Sequence, residues 1–249
     1  MPGLVVEVDD ETVLRQLQAD ASLLGLELDD EQLLQLSQFE KLLLRWNQAF
    51  NIISRKDESR LTTRHLLDSL SIAPGVQGPS VLDMGTGGGL PGIPLAICHR
   101  DQQFTLLDRS ERKIRFVTQV KRALGLENVQ PICADVRELP QGTRYDCIVS
   151  RAVADAETNW RLAAPWLRDG GRLLIMASTG SEERGSAIPP FGYQEAYQEG
   201  YPEEAPEEGP EEAPEGSSYL TREYLRIPRL DRTHRLDVLM TAAELDTAE

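Results

Sequence analysis

The stretch LDMGTGGGLPGIPLA, residues 82–96, places five glycines and two prolines between aliphatic residues. The apolar run before the glycines is typical of a buried strand, and the run after them is typical of a helix. Glycine adopts the positive φ angles that a sharp turn needs, and its missing side chain lets a ligand approach the backbone. The stretch therefore predicts a strand, a ligand-binding turn and a helix in succession.

The same alternation of strands and helices continues along the chain. Predicted strands cover residues 80–85, 104–110, 129–135, 145–152 and 171–178, and the helices between them cover 91–98, 111–124 and 154–166. Strands that alternate with helices indicate an α/β fold with a parallel, doubly wound sheet. Strand-like patterning resumes at residues 219–242, which we expect to add two final strands.

The N-terminal part has a different pattern. Apolar residues recur at helical spacing over residues 11–25, 30–51 and 57–72. The pair Asp29-Asp30 is a predicted N-cap for the second helix. We therefore expect a helical N-terminal cap at 1–78, a Rossmann-like core at 79–192, an acidic repeat at 193–216 and C-terminal strands at 217–249.

The acidic repeat concentrates the negative charge of the chain. It holds nine glutamates and no basic residue, so six of the fifteen net negative charges remain for the other 225 residues. Proline recurs at every fourth position from Pro202 to Pro214, which interrupts helical hydrogen bonding. The repeat is predicted to be a solvated, disordered linker, with a functional acidic tail as the alternative. The mildly acidic remainder still allows a local basic patch for nucleic acid.

The composition of the chain also indicates its cellular compartment. No segment has the roughly 18 to 20 unbroken apolar residues of a membrane span, and the first residues are acidic rather than basic. We therefore expect a cytoplasmic protein without a membrane partner. The three cysteines, Cys98, Cys133 and Cys147, have no CxxC spacing. They are predicted to be small buried hydrophobic residues in a reducing compartment, rather than a disulfide or metal ligands.

Three kinds of ligand-binding loop compete for the glycines. A Walker A loop ends in Gly-Lys-Ser/Thr, and no lysine lies between Lys56 and Lys113, so it is excluded. A dinucleotide GxGxxG pattern fits Gly87, Gly89 and Gly92, but a single match is weak. The third pattern, Asp83-x-Gly85-x-Gly87-x-Gly89, resembles the loop of class I methyltransferases, which bind S-adenosylmethionine. The acidic residue favours this third interpretation, because it is not part of the dinucleotide pattern.

Two further acidic positions fit a nucleoside ligand. Asp108 ends the second predicted strand, where a carboxylate commonly accepts ribose hydroxyls; this does not separate NAD from S-adenosylmethionine. Asp135, Val136 and Arg137 follow the third strand and are expected beside the adenine, although Asp135 is equally suited to cap the next helix. Pro91 suits the first turn of the helix after the loop, whose positive end is expected to receive the methionine carboxylate.

Several segments together resemble the bacterial 16S ribosomal RNA guanine-N7 methyltransferases, also called the glucose-inhibited division protein B family. The matching segments, which run in order over roughly residues 30 to 176, are RWNQAFNIIS, RHLLDSLSIAP, VLDMGTGGGLPGIPLAI, FTLLDRSERKIRFV and YDCIVSRAVA. The resemblance implies a helical cap on a seven-stranded, Rossmann-like class I methyltransferase sheet. It also implies methylation of N7 of a guanine in the 530 loop of 16S RNA, with the RNA or the small ribosomal subunit as partner.

The resemblance also implies a set of cofactor contacts. Combined with the glycine loop and the residues after Asp108, the predicted S-adenosylmethionine site comprises Asp83, Gly85, Gly87, Gly89, Leu90, Asp108, Arg109, Ser110, Val136, Arg137 and Arg151. We expect no metal, no catalytic triad and a monomer. Guanine N7 keeps a lone pair at neutral pH, so direct transfer requires no general base and the enzyme contributes chiefly by positioning.

Predicted substrate contacts carry open alternatives. Arg151, just beyond the fourth strand, either contacts the cofactor and orients the guanine through O6, or forms a surface ion pair. His65 and Asp68 share a helical face and form either a solvated cluster or, given the resemblance, a wall of the substrate pocket. Arg109, Arg112, Lys113 and Arg115 either bind RNA phosphates or form a solvated helix face. Trp46 is predicted to be core rather than a base-stacking platform.

The chain departs from the family pattern near its C-terminal strands. Ala177-Ser178 stands where the family has a lysine-glycine pair, His234-Arg235 inverts the usual order, and Asp237 puts a charge into a predicted strand. These changes concern the substrate side and the sheet edge rather than the cofactor side. Two other functions remain as alternatives: an NAD-dependent oxidoreductase, and a non-catalytic cofactor-binding module whose acidic repeat recruits a protein.

Overall fold

A computed structural model describes residues 9–50, 65–151, 155–178, 213–227 and 233–241. The helices are α1 (Asp9–Leu23), α2 (Asp30–Phe50), α3 (Leu67–Ser71), α4 (Gly92–Cys98), α5 (Glu111–Leu124) and α6 (Ala156–Ala163). The strands are β1 (Ser80–Met84), β2 (Gln103–Asp108), β3 (Val129–Cys133), β4 (Tyr145–Arg151), β5 (Leu167–Ser178), β6 (Ser217–Arg226) and β7 (Thr233–Thr241). The predicted strands and helices of the core are therefore confirmed, as are the two final strands.

The strands form one seven-stranded sheet in the order β3-β2-β1-β4-β5-β7-β6. β1 to β5 pair in parallel, whereas β7 pairs antiparallel with both β5 and β6. The strand order reverses between β1 and β4, and in such sheets the ligand crevice lies at the carboxyl ends of the strands beside that reversal. The expected seven-stranded Rossmann-like sheet with a helical N-terminal part is thus confirmed.

The sheet has an apolar core on each face. One face packs against α1 to α5 through residues such as Leu36, Phe39 and Phe116. The other face packs against α6 through residues such as Ile148 and Trp160. Trp46 is partly buried against the first core, and its ring centroid lies 5.3 Å from that of Phe116, which confirms its prediction as a core residue.

Short polar motifs fix where the N-terminal helices begin and dock. Asp29 accepts a hydrogen bond from the Gln32 backbone N–H, and the Gln32 side chain accepts one from the Asp29 N–H. This reciprocal pair is a capping box and confirms the predicted start of α2. The Gln32 amide also donates to the carbonyls of Ile97 and Cys98, so α2 is attached to the end of α4. The predicted third helix is described only from His65, because residues 57–64 lie outside the described residues.

The unusual charged residues of the C-terminal part lie on β7, next to β5 in the sheet. Asp237 is fully buried on β7, and its Oδ2 lies 3.3 Å from Nε of Arg235. The acidic repeat is described only at residues 213–216, where Trp160 Nε1 donates to the carbonyl of Glu215. That contact attaches the turn before β6 to α6. The domain limits predicted at residues 78, 192 and 216 stay predictions.

Two remaining sequence expectations concern cysteines and membrane spans. All three cysteines are free; Cys147 is buried and Cys98 half-buried, but Cys133 is exposed. The prediction of burial was therefore wrong for Cys133, because β3 ends at this residue and its side chain enters a surface cavity. Among the described residues, the structure contains no helix with the length and apolar character needed to cross a membrane.

Candidate active site

The glycine loop follows β1 at the strand-order reversal. Gly85, Gly87 and Gly89 have φ angles of 80°, 58° and 81°, in the left-handed region that favours glycine. The Gly85 N–H donates to the Leu107 carbonyl, which attaches the loop to β2. An added Cβ at Gly87 would meet only the Gly85 carbonyl oxygen, 3.9 Å away. The loop therefore presents an open backbone surface at Gly87.

Asp83 supports the loop from beneath. Its side chain is fully buried, and its Oδ2 accepts a hydrogen bond of 2.9 Å from the Gly92 N–H. Burial raises the pKa of Asp83 to about 6, although the Gly92 hydrogen bond and the positive charge of Arg151 act in the opposite direction. The first amide of α4 is therefore bound to Asp83, and α4 has only seven residues. The expected carboxylate site at the start of this helix stays a prediction.

Asp108 links the glycine loop to α5. Oδ2 accepts from the Gly87 N–H at 3.0 Å and from Lys113 Nζ at 3.1 Å, while Oδ1 accepts from the Ser110 N–H at 2.8 Å. A carboxylate has about four lone-pair sites, so this one retains capacity for a further hydroxyl. The predicted ribose-binding acid thus also holds the loop in shape.

A cavity opens where β3 ends. It has a volume of about 540 Å³, and its lining residues are Arg109, Cys133, Ala134, Asp135, Arg137 and Glu138. Asp135 caps the following turn by accepting from the Arg137 N–H, while its own N–H donates to Glu138. The cap alternative for Asp135 is therefore confirmed. The Val136 side chain is buried in the core on the α6 face, so its predicted contact with the cofactor stays a prediction for its backbone.

Charge pairing defines the polar wall of this cavity. The Arg137 guanidinium makes two hydrogen bonds of 2.8 Å to the Asp135 carboxylate. These bonds, with the Arg137 backbone N–H, hold the pKa of Asp135 well below its usual range. Arg109 adds a weaker contact, 3.7 Å from Asp135. The cavity therefore offers a planar, charge-compensated wall at the position predicted for the adenine.

Arg151 ends β4 on the opposite side of the glycine loop. Its Nη1 lies 3.0 Å from Nδ1 of His65, which stands in the turn before α3. Because arginine can only donate, Nδ1 must accept, so His65 is neutral with its proton on Nε2. Arg151 therefore contacts a second predicted site residue.

Asp68 has a partner from the C-terminal strands. Oδ1 of Asp68 lies 2.8 Å from Nδ1 of His234, and the two side chains are 6% and 12% exposed. His234 stands opposite Ser178 where β7 pairs with β5. The pair therefore lies at the edge of the sheet where β4 also ends, and it is not the solvated cluster that Asp68 alone would suggest.

The basic residues of α5 divide into different environments. Lys113 is bound to Asp108, and Arg115 pairs with Glu111 one turn away, with both side chains largely exposed. Arg112 is exposed as well. Lys113 therefore belongs to the loop support, while Arg112 and Arg115 lie on a solvated face that remains accessible to a phosphate backbone.

Sequence reasoning missed two of these partners. The sequence groups Lys113 with the other basic residues of α5, although its place in the first turn of α5, five residues after Asp108, is a signal for pairing. His234 stands out in the sequence only by its inverted order with Arg235. The sequence contains no local signal for its contact with Asp68, because that contact depends on the antiparallel register of β7.

Comparison with known proteins places this geometry in a family. The family model GidB, rRNA small subunit methyltransferase G, matches residues 32–186. The ribosomal RNA small subunit methyltransferase G of Saccharophagus degradans is 40% identical over 175 residues, which cover 70% of this chain and 78% of the relative. The protein of the same name from Chromohalobacter salexigens is 42% identical over 176 residues, with 70% and 84% covered.

A solved structure supports the fold independently. The glycopeptide N-methyltransferase MtfA, complexed with S-adenosylhomocysteine, superposes with a TM-score of 0.51 at 11% identity and covers 71% of this chain and 87% of its own. At that identity the likeness shows the fold alone.

The reversal in strand order, the glycine loop above a buried acid and the acid at the end of β2 define a Rossmann-like class I methyltransferase, a class that takes its methyl group from S-adenosylmethionine. The family model matches more than half of the chain. The chain therefore belongs to the rRNA small subunit methyltransferase G family. This membership favours the methyltransferase interpretation over an NAD-dependent oxidoreductase or a non-catalytic module.

Proposed function

We propose that this protein transfers the methyl group of S-adenosylmethionine to N7 of a guanine in the 530 loop of 16S ribosomal RNA, acting in the cytoplasm on the RNA or the small subunit. The observation that carries the proposal is the family match over residues 32–186, which spans the glycine loop, Asp108 and Arg151 together. The identities of the acceptor base and of the RNA loop are taken from the family resemblance.

The residues present fit the cofactor. Gly87 leaves room for a ligand against the backbone, Asp108 has remaining acceptor capacity, and the cavity beside Asp135 has the size and walls for a flat base. The residues that would hold S-adenosylmethionine are the glycine loop with Asp83 and Leu90, Asp108 with Arg109 and Ser110, the pair Val136 and Arg137, and Arg151. When bound, the cofactor supplies an electrophilic methyl group on a sulfonium.

The chain's own residues act by holding the acceptor. Arg151 has donors that suit guanine O6, the base-edge acceptor that arginine commonly binds. His65 holds the Arg151 guanidinium through Nδ1. Guanine N7 carries a lone pair at neutral pH, so no side chain needs to remove a proton. Positioning of this kind can lower a barrier by about 7 to 11 kcal/mol.

Labelled S-adenosylmethionine and small subunits that lack the modification test the proposal. The protein is expected to incorporate one methyl group per subunit, and mapping by reduction and aniline cleavage is expected to find N7-methylguanine in the 530 loop. The cofactor itself is tested separately by calorimetric titration. Label at another base, or titration heat with NAD and none with S-adenosylmethionine, would rule the proposal out.

A further inference from the structure

One short helix makes contacts on either side of β5. The segment that includes α3 carries His65, which contacts Arg151 at the end of β4, and Asp68, which contacts His234 at the start of β7. In the sheet, β5 lies between β4 and β7. The two polar contacts therefore attach the helical segment at two separated points along the carboxyl edge of the sheet.

His234 reaches this edge because β7 runs antiparallel. The first residues of β7 pair with the last residues of β5, so a residue far along the chain lies beside the predicted substrate pocket. Both side chains of the Asp68–His234 contact are nearly buried, and water therefore screens their interaction little. Oδ1 of Asp68 accepts no aligned hydrogen bond from the described part of the chain. The contact between Oδ1 of Asp68 and the His234 ring is therefore electrostatic rather than an aligned hydrogen bond.

We propose that His234 is a positioning residue for the methyl acceptor. Its contact with Asp68 fixes α3 across the sheet edge, and α3 in turn sets the His65 ring against the Arg151 guanidinium. The inference rests on the proposed function, since it takes Arg151 and His65 as the wall that orients the guanine. Because β7 delivers the anchoring side chain, the C-terminal strands contribute directly to the substrate pocket.

Steady-state kinetics with two His234 variants test this role. His234→Ala is expected to lower kcat for the RNA by about 10- to 100-fold, the cost of a displacement of about 1 Å in a positioned group. Calorimetric affinity for S-adenosylmethionine is expected to fall less than kcat, because the link through His65 leads to Arg151 and not to the glycine loop or Asp108. His234→Asn is expected to recover little of the loss, because the contact with Asp68 is electrostatic and not a hydrogen bond that an amide N–H could replace.

A double-variant cycle and a matched control distinguish a positioning role of His234 from a general loss of protein stability. Asp68→Asn combined with His234→Ala is expected to be no slower than the worse single variant, because both changes remove one contact. His99→Ala removes a different half-buried histidine, whose Nε2 contacts the Ala73 carbonyl just after α3. It is expected to lower the unfolding temperature while kcat stays as in the wild type.

Imidazole NMR gives a readout independent of turnover. The chain has three histidines, so the ring nitrogens of His65 can be assigned by substitution. The wild type is expected to show an Nε2-protonated, neutral His65, and His234→Ala is expected to give a mixture of tautomers. His99→Ala is expected to leave the His65 signals in place.

The outcomes distinguish two kinds of failure. Wild-type kinetics and an unaltered His65 spectrum in His234→Ala, or additive losses in the double variant, would overturn the positioning role and leave the proposed function intact. Absence of methyl transfer by the wild-type protein would instead refute the proposed function, while the NMR comparison would still decide whether His234 fixes His65.

Discussion

Gly87 lies in the glycine loop and Gly92 begins α4, and the two positions differ in what a side chain would meet. At Gly87 an alanine Cβ enters open space, whereas at Gly92 it would lie 2.5 Å from Oδ2 of Asp83 and 2.9 Å from Cγ of Leu106. The first position is therefore shaped for a ligand and the second for packing. Single substitutions separate the two requirements.

Gly87→Ala is expected to cost about 1 to 2 kcal/mol of unfolding free energy, because its φ of 58° is left-handed. It is expected to weaken calorimetric binding of S-adenosylmethionine at least about tenfold, since a methyl group would occupy the face that the ligand approaches. Gly142→Ala, also at positive φ and with nothing within 4 Å, serves as the control for strain alone. Equal cofactor affinity in all three proteins would contradict the ligand-facing role of Gly87.

Gly92→Ala is expected to behave in the opposite way. The clash with Asp83 and Leu106 forces the start of α4 to move, and overpacking of this kind costs about 1 to 3 kcal/mol or more. Urea unfolding measures the loss. A Gly92→Ala protein as stable as the wild type would show that the loop shifts without cost, contrary to the close packing seen here.

The buried carboxyl of Asp83 gives the protein a pH-dependent stability. Its pKa is raised from 3.8 to about 6, so the folded protein binds a proton more tightly than the unfolded chain. The stabilising contribution of this group is present in full below about pH 4 and is lost as the pH rises through 6, by about 3 kcal/mol in all.

Asp83→Asn removes that titration. The unfolding free energy of the variant relative to the wild type is expected to rise by about 2 to 3 kcal/mol between pH 4 and pH 7. Urea titrations at several pH values measure the difference, in which the other ionisable groups cancel. A difference that does not depend on pH would mean that Asp83 titrates normally.

At the scale of elements, one side chain closes the turn between α5 and β3. Nδ2 of Asn128 lies 2.9 Å from the Ala96 carbonyl and 3.2 Å from the carbonyls of His99 and Gln102. These carbonyls belong to the end of α4 and the turn that follows it. Asn128 therefore connects α4, α5 and β3 at the edge of the sheet away from the active site.

Asn128→Ala is expected to lower the unfolding free energy by about 1 to 3 kcal/mol, because it leaves buried carbonyls without donors. Asn128→Asp is expected to be at least as damaging, since a carboxylate brings further acceptors to the same carbonyls. Denaturant titration measures both. Affinity for S-adenosylmethionine is expected to be retained, and its loss would mean that this turn also shapes the cofactor site.

The elements of the core could be predicted from the sequence because each depends on local patterns. The start of α2 at Asp30 follows from its capping residues, and the buried strands follow from short aliphatic runs between turn residues. Contacts between distant elements could not be predicted in this way. The Asp68–His234 pair requires the register of β7, and the burial of Asp237 beside Arg235 requires a sheet face that no local pattern specifies.

The candidate site shows the same division. The glycine loop and Asp108 could be predicted because their residue types and spacing follow from ligand chemistry, and Arg151 could be predicted from its place after the fourth strand and from the family resemblance. The roles of Lys113 and of the first amide of α4 could not be predicted, since both depend on which atom a carboxylate binds first. Asp108 and Asp83 each accept a hydrogen bond from a backbone N–H of the protein, and these bonds do not depend on a ligand.

At the scale of the whole molecule, charge is distributed unevenly. Eight of the nine glutamates of the acidic repeat lie within residues 193–212. Removal of those residues keeps the turn in which Trp160 donates to Glu215. Their charge can therefore be tested without disturbing the described contacts before β6.

Deletion of residues 193–212 is expected to strengthen binding to 16S RNA at low salt. The protein then carries fewer negative charges and repels the RNA phosphates less. Filter binding across a salt series measures this, and the gain is expected to vanish at about 1 M salt, where screening extends only about 3 Å. A chain of equal length with the eight glutamates changed to glutamine should match the deletion. Weaker binding by the deletion alone would mean that this segment contacts the RNA or a partner.

The glycine loop also determines how the binding free energy of the cofactor is composed. Asp83, Asp108 and the Leu107 carbonyl already hold the loop by backbone N–H groups, so the entropy of ordering three left-handed glycines is lost during folding rather than during association. Preorganisation of this kind leaves a small conformational penalty for the ligand. Association is then expected in a single kinetic phase, at a rate set by diffusion and desolvation of the cavity rather than by rearrangement of the backbone.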